Sequence, residues 1–412
     1  MAATGPNDTV TLGLIGCGAQ GRSDLAAHLR CPGTRVLAIS DVQQSRLAQA
    51  RREFGGDKIQ AFGDYRKLLD RKDIDAVIVA TPGHWHVLPT IHACQAGKDV
   101  YVEKPLGTSI GEGRAGVEAA RKYNRVVQIG TQQRSWPHYV QAAEVIRSGR
   151  LGAISEVKVW DMDYRYPGVG SPPDDDPPQG LDWEMWLGPS PKKPFNPNRL
   201  EHHYWWFDYG GGWQLDWAVH HYQIVHWFMG VSTPESAVGM GGKLSFDNDN
   251  TEWPDTFSGI CQYGPGPVAK KGFIMQYTYR GGCRREQRSH AKLFLGSEAS
   301  MIVGRSGYTI TPEIGKRGQE ETVRNVFPST DVHLASLKAH AQVFLDCVRN
   351  RRKPPADVEV GHLASNPGHL MNIAWRVGRR VAWDAAKEQV LGDPKADAMV
   401  TKQYRAPWKL EA

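Results

Sequence analysis

Between residue 10 and about residue 130, short apolar runs alternate with amphipathic stretches. The runs at 10–15, 36–39, 76–80, 100–102 and 126–129 are bounded by turn residues and read as buried parallel strands. The stretches 22–30, 43–54 and 113–123 carry helical periodicity and are long enough to serve as right-handed crossovers. That order predicts a doubly wound α/β domain. After Gly130 the pattern changes: a helix is predicted at 139–148, then strands near 154–162, 236–244, 256–262, 272–279 and 291–294, forming a mixed, largely antiparallel sheet. Residues 166–200, rich in Pro, Gly and Asp, predict a long ordered loop. Helical patterning returns at 332–349 and 361–382, without a repeat of solenoid length. Two domains are expected, 1–130 and 131–412.

Composition narrows the class. With 40% hydrophobic and 23% charged residues in 412, the chain can bury a large core, which excludes global disorder. Fifty basic against 44 acidic residues give +6, too dispersed to imply a nucleic-acid partner. No apolar run approaches the ~20 residues a membrane helix needs. The start, MAATGPNDTV, lacks the basic and apolar regions of a signal peptide. A cytoplasmic location is expected as written, or a periplasmic one were an export signal to precede it. The six cysteines are widely spaced without a C-x-x-C pair and read as reduced structural thiols.

The chemistry begins at Gly16-Cys17-Gly18-Ala19-Gln20-Gly21, a G-x-G-x-x-G directly after the first strand and before a helix. Gly16 suits the tight turn, Gly18 lets a pyrophosphate approach the backbone, and Gly21 lets helix and strand pack. Ala19 and Gln20 open the helix whose N-terminus faces the phosphates. Asp41, twenty residues after Gly21, ends the second strand, where a carboxylate takes the adenosine ribose hydroxyls. Its charge repels a 2′-phosphate, which favours NAD over NADP; Arg46 is the nearby cation. The expectation is an N-terminal Rossmann dinucleotide-binding domain with a C-terminal α/β domain built on a large, mostly antiparallel open sheet.

Two further motifs sit at strand ends facing the crevice: Thr81-Pro82-Gly83-His84-Trp85-His86 and Glu103-Lys104-Pro105. Thr81, Pro82, His84, His86, Glu103, Lys104 and Gln132 are expected to line the cofactor. Lys104 can place an ammonium beside a substrate hydroxyl and lower its pKa as hydride leaves carbon. In the second half, Gly210-Gly211-Gly212 precedes a helical stretch from Trp213 to Met229 carrying Asp216 and His220. Four apart, they share one helix face, so Asp216 can orient His220 as proton acceptor. A metal on His220, His221 and His226 is disfavoured, because adjacent histidines point to different faces. Seven of the 14 Trp fall within 183–227, the density that a sugar's C–H faces call for. Trp186, Arg199 and Tyr204 join Lys104, Asp216 and His220 as expected substrate contacts.

GCGAQG, TPGHWH, EKP and GGGWQLDWAVHH, in this order, resemble the Gfo/Idh/MocA oxidoreductase family over nearly the whole chain. LDWEMWLGPSP, the W-x-F-D-Y-G-G-G run and RAPW resemble a bacterial subgroup of it. The resemblance implies the lysine role for Lys104 and the aspartate and histidine roles for Asp216 and His220. It also implies a homo-oligomer, dimer or tetramer, formed through the C-terminal sheet. Three departures stand out. Gln223 occupies the position three after the histidine where an acidic residue is common, the subgroup's twin-arginine signal is lacking, and Trp217 stands where redox glycosidases tend to carry Tyr. The expected activity is NAD-dependent oxidation of a CH–OH group in a small-molecule carbohydrate. The alternative is a redox glycosidase or lyase that oxidises, eliminates and recycles its NAD.

Overall fold

A computed structural model describes residues 9–284, 288–325 and 332–412; residues 1–8, on which the reading of the N-terminal segment rests, lie outside the described residues. The first sheet holds β1 (Val10–Ile15), β2 (Thr34–Ser40), β3 (Gln60–Phe62), β4 (Ala76–Val79), β5 (Asp99–Val102) and β6 (Val127–Ile129). All pair in parallel, in the order β3-β2-β1-β4-β5-β6. The order reverses between β1 and β4, and at such a point the strand ends leave a crevice for a ligand. The crossovers are α1 (Ala19–Leu29), α2 (Gln44–Phe54), α3 (Tyr65–Leu69), α4 (Val87–Gln95) and α5 (Ile110–Lys122). Strand β3 gives only three residues of signal. Helix α4 is apolar on nearly all sides because it is buried on nearly all sides, which erases the amphipathic pattern.

The second half contributes α6 (Pro137–Arg147), β7 (Ile154–Met162), α7 (Trp183–Leu187), α8 (Pro197–Glu201), α9 (Trp213–Asp216) and α10 (Val219–Met229). Then follow β8 (Ser236–Gly242), β9 (Thr256–Tyr263), β10 (Phe273–Arg280), β11 (His290–Gly296), β12 (Ala299–Gly304), β13 (Gly307–Pro312) and β14 (Glu321–Arg324). The chain ends through α11 (Val332–Asn350), α12 (Val358–Val377), β15 (Val381–Asp384) and β16 (Gln389–Leu391) before a last turn and tail. These strands form one sheet, β14-β13-β12-β11-β7-β10-β9-β8-β15-β16, antiparallel at every described pair except β7 with β10. Among the described residues, no helix is long and apolar enough to cross a membrane.

Three expectations need correction. The helix expected over 361–382 starts at Val358, capped by Asp357, and stops at Gly378, whose φ of +72° ends it. Residues 381–384 are then free to form β15 beside β8. The stretch from Trp213 to Met229 is two helices, broken at Trp217-Ala218. The loop over 166–200 contains α7 and α8, and it returns to the first domain: Gln44 N–H donates to Gly180 O (2.9 Å) and Asp182 N–H to Val42 O (3.0 Å). The loop is therefore pinned one residue beyond Asp41. Helix α11 also returns, packing Phe344 against His28 and Tyr101 of the first domain.

Candidate active site

The glycine loop divides its labour as the motif requires. Gly16 has φ +95°, and a Cβ there would lie 2.5 Å from Ala80 O. A Cβ on Gly21 would lie 2.0 Å from Gly16 O, so helix and strand close over it. Gly18 meets only Arg46 Nη1, at 3.8 Å, and leaves open space above the N-terminus of α1, where Ala19 and Gln20 are exposed. Asp41 Oδ2 accepts from Cys17 N–H (2.7 Å) and Oδ1 from Gln43 N–H (2.8 Å), which fixes the carboxylate. A cleft runs past Gly16, Gly18, Asp41, Arg46, Thr81 and Pro82. Thr81 Oγ1 is buried there without a partner. An open glycine, a fixed carboxylate and an unmet hydroxyl fit a dinucleotide. Arg46 belongs to this cavity and lies 3.8 Å from Glu201 of α8.

Several expected cofactor contacts sit beneath the crevice rather than in it. His84 is buried, and its Nε2 meets Trp186 O at 2.9 Å. His86 is buried with both ring nitrogens committed, Nδ1 to Pro105 O and Nε2 to Thr81 O, each at 2.7 Å. The tight turn at Gly83–Trp85 directs these rings inward, so His86 ties the Thr81 turn to the Lys104-Pro105 loop. Glu103 is buried over Gly130, where a Cβ would lie 2.3 Å from Oε1. Burial pushes its carboxyl up to about 7 against the pull of Lys104. Gln132 is buried with its Oε1 unmet. Trp186, expected at the substrate, lines the dinucleotide cavity instead, stacked on Trp183 at 4.5 Å and 13°. Pinning of the loop beside Asp41 carried it there.

Lys104 reaches from the end of β5 into the second domain, where its Nζ donates to Asp216 O at 2.7 Å. Asp216 is gripped by the glycine run: Gly212 turns with φ +69°, and Gly211 N–H donates to Asp216 Oδ2 at 2.8 Å. A Cβ on Gly83 would lie 3.9 Å from Asp216 Oδ1, so the domains meet at the turn beside the cavity. Burial pushes the Asp216 carboxyl up to about 6, opposed by the Gly211 N–H and by Lys104. His220 is buried and its Nδ1 has no partner. Burial, then the charges of Lys104 and Arg305, hold it well below the ordinary histidine range, so the ring is neutral at pH 7. The expected Asp216–His220 hydrogen bond does not form, because the helix breaks between them and Gly211 claims the carboxylate.

The histidine–carboxylate hydrogen bond of this region belongs to the next residue. His221 Nε2 meets Asp161 Oδ1 at 2.9 Å, and Tyr277 OH donates to Asp161 Oδ2 at 3.1 Å, all buried. His226 turns elsewhere, to Tyr263 OH at 2.8 Å. No group of three His, Cys, Asp or Glu able to hold a metal occurs among the described residues.

Trp205, Trp213 and Trp217 form a ladder of near-parallel indoles, 6.0 Å and 9° then 5.5 Å and 8°. Arg165 covers Trp213 at 4.2 Å and donates to Tyr204 OH at 3.0 Å, which places Tyr204 beside the ladder. Arg305 lies 5.0 Å over Trp217, and Lys104 Nζ lies 6.0 Å from the same ring. Arg199 instead covers Trp206 at 4.0 Å, with Nε and Nη1 buried and unmet. Arg165 and Arg305 were not legible in sequence: the indoles they cover, Trp213 and Trp217, lie far along the chain.

Two family models match this chain. The oxidoreductase family, NAD-binding Rossmann fold, matches residues 10–131, and the oxidoreductase family, C-terminal alpha/beta domain, matches 140–248 and 275–410. The chain belongs to the Gfo/Idh/MocA oxidoreductase family. Among its relatives, scyllo-inositol 2-dehydrogenase (NAD(+)) of Bacillus subtilis (strain 168) is 24% identical over 344 residues, 81% of this chain and 86% of that protein. Other matches are partial: the uncharacterized oxidoreductase YrbE of Bacillus subtilis (strain 168) is 29% identical over 39% of this chain and 46% of its own length. A glycosyl hydrolase family 109 protein of Shewanella sp. (strain ANA-3) is 41% identical over 112 residues, 26% of this chain and 25% of that protein. Levoglucosan dehydrogenase, solved with NADH and levoglucosan, shares the fold with a TM-score of 0.71 at 17% identity, over 91% of this chain and 99% of that one. The Gfo/Idh/MocA domain pair thus accounts for both sheets, and its NAD-binding Rossmann model covers the glycine loop at Gly16–Gly21.

Proposed function

We propose that this protein oxidises a CH–OH group of a sugar or polyol with NAD. The reading rests on one observation: Lys104 of the first domain meets Asp216, beside the neutral His220 of the second, at the turn bordering the dinucleotide cavity. NAD supplies the hydride acceptor. The Lys104 ammonium polarises the substrate hydroxyl and stabilises the developing alkoxide. His220 Nδ1, unmet and neutral, takes the hydroxyl proton. A proton there feels Lys104 and Arg305, so it is held weakly and passed on to solvent. Asp216, gripped by Gly211, offsets part of that positive field. The names of the inositol and levoglucosan dehydrogenases support a polyhydroxylated ring as substrate. We further propose that the outer face of the long sheet, where Met240, Ile260 and Ile274 are exposed, pairs with a second copy, a state that light scattering reads.

The redox glycosidase is the second reading, favoured by the match to the glycosyl hydrolase family 109 protein. Against it, Trp217 offers no hydroxyl at its position in the indole ladder. One experiment separates the two: incubation with free sugars, polyols and aryl glycosides, with and without added NAD. NADH that accumulates only with NAD and a free sugar or polyol supports the dehydrogenase. Aglycone release without net NADH refutes it in favour of the glycosidase, and inertness toward every class refutes both.

A further inference from the structure

The indole of Trp217 gathers charge of one sign. Lys104 Nζ lies 6.0 Å from the ring, and Arg305 covers it at 5.0 Å. Arg305 comes from the β12–β13 turn and is partly buried, with Nε enclosed and unmet. Among the described residues, its side chain makes no ion pair and no hydrogen bond. Arg288, preceding β11, is similar: its Nη1 is buried and unmet, and no described carboxylate pairs with it. Lys292 of β11 is fully buried on two neutral oxygens, Gln133 Oε1 at 3.2 Å and Tyr139 OH at 3.1 Å. Among the described residues, the carboxylate that answers Arg305 and Lys292 is Asp161, and its two oxygens are already taken by His221 and Tyr277.

A buried cation without a counter-charge costs several kcal/mol, and folded chains pair such groups. Here, among the described residues, two partly buried guanidinium groups each keep an enclosed, unmet nitrogen and no carboxylate partner, and Arg305 lies over Trp217 at the end of the tryptophan ladder. Arg165 and Arg284, further along the adjoining cleft at Trp213, Trp217 and His290, extend the same sign outward, although Asp163 partly neutralises both. A neutral sugar would leave Arg305 as unmet as it is now. We propose that the substrate is an acidic sugar, whose carboxylate is bound by Arg305, with Arg288 behind it, while Lys104 and His220 act on a ring hydroxyl. The ring would then lie along Trp217 between the two positive ends. A planar carboxylate meets a guanidinium through two parallel charge-assisted hydrogen bonds, which fixes the sugar's orientation. The assignment rests on the dehydrogenase reading for the reaction, but not for the binding.

The test uses matched pairs: D-glucuronate with D-glucose, D-galacturonate with D-galactose, and glucose 6-phosphate as a phosphate-bearing arm. Binding is followed by tryptophan fluorescence of the NAD-loaded protein, and NADH formation by absorbance. At least one uronate is expected to bind roughly tenfold tighter than its neutral partner, with an advantage that shrinks as salt rises. In Arg305→Met that preference collapses to near unity, and Arg305→Lys restores part of it. Thermal unfolding and NAD affinity of both variants confirm that the fold and cradle persist. Equal or better binding of the neutral sugars, a preference unchanged in Arg305→Met, or no binding by either uronate overturns the proposal. Tighter binding of glucose 6-phosphate than of the uronates would also overturn the carboxylate and assign a phosphate. NADH from neutral sugars alone leaves the dehydrogenase standing and removes the acidic substrate. Uronate binding without NADH retains the anion site and removes the dehydrogenase.

Discussion

Lys104 donates to the main-chain carbonyl of Asp216, at 2.7 Å, while the carboxylate of Asp216 takes its hydrogen bond from Gly211. A backbone acceptor holds the ammonium in place without neutralising it, so its full charge is available to a substrate oxygen. Lys104→Met is therefore expected to lower kcat by roughly 10²–10⁴ while the Kd for NAD changes little, because the cradle at Gly16–Gly21 and Asp41 lies elsewhere. Lys104→Arg recovers only part of the loss, since a planar fork cannot satisfy the same carbonyl and a hydroxyl in one geometry. Steady-state kinetics with NAD titrations check both.

Asp216 sets an acid limb. Its carboxyl is pushed up to about 6, chiefly by burial, so activity is expected to fall as pH drops through 6 and the charge facing Lys104 and His220 is lost. The residual activity of Asp216→Asn should be flat across that limb. The stability effect has the opposite sense. A raised carboxyl makes the ionised form the costly one, so the penalty is present above pH 6 and gone below the ordinary value near 4. Asp216→Asn is thus expected to be more stable than the parent at pH 8, by roughly 3 kcal/mol, with the gap closing toward pH 4. Denaturation at the two pH values reads the sign directly.

His220 and His221 are adjacent and should separate cleanly on substitution. His221 shares a buried hydrogen bond with Asp161, and removing the histidine leaves Asp161 Oδ1 buried without a donor, with only Tyr277 still donating to Oδ2. His221→Ala is therefore expected to cost roughly 2–4 kcal/mol of stability. His220 carries an unmet Nδ1, so His220→Phe should cost little stability and abolish most turnover. Chemical denaturation set beside kcat distinguishes them, and a reversed pattern would reassign the base to His221.

The first sheet was legible because parallel strands and their crossovers announce themselves locally: apolar run, glycine turn, amphipathic helix. The same locality exposed Asp41 and Lys104, which sit at strand ends. What failed was orientation. His84 and His86 carry the residue type of a site, yet a three-residue turn aims both rings at carbonyls below it. Asp216 and His220 keep helical spacing, but the break at Trp217-Ala218 removes the shared face. Trp186 was displaced by two backbone hydrogen bonds that tie its loop to residues 42 and 44. Arg305 was invisible because its significance comes from what is missing around it, and sequence does not show a missing partner.

Gly18 and Gly21 provide the sharpest separation of binding from folding. Gly18 has φ −63°, a conformation any residue adopts, and a Cβ there would meet nothing nearer than Arg46 Nη1 at 3.8 Å. Gly18→Ala should therefore fold with an unchanged Tm, yet its methyl would occupy the space a pyrophosphate needs, raising the Kd for NAD by roughly tenfold or more. Gly21→Ala places its methyl 2.0 Å from Gly16 O, a contact that only movement of α1 away from β1 relieves. That variant should lose several degrees of Tm as well as NAD affinity. Calorimetric NAD titration paired with thermal unfolding decides the matter: if Gly18→Ala bound NAD as tightly as the parent, the pyrophosphate would not cross the loop where its open space lies.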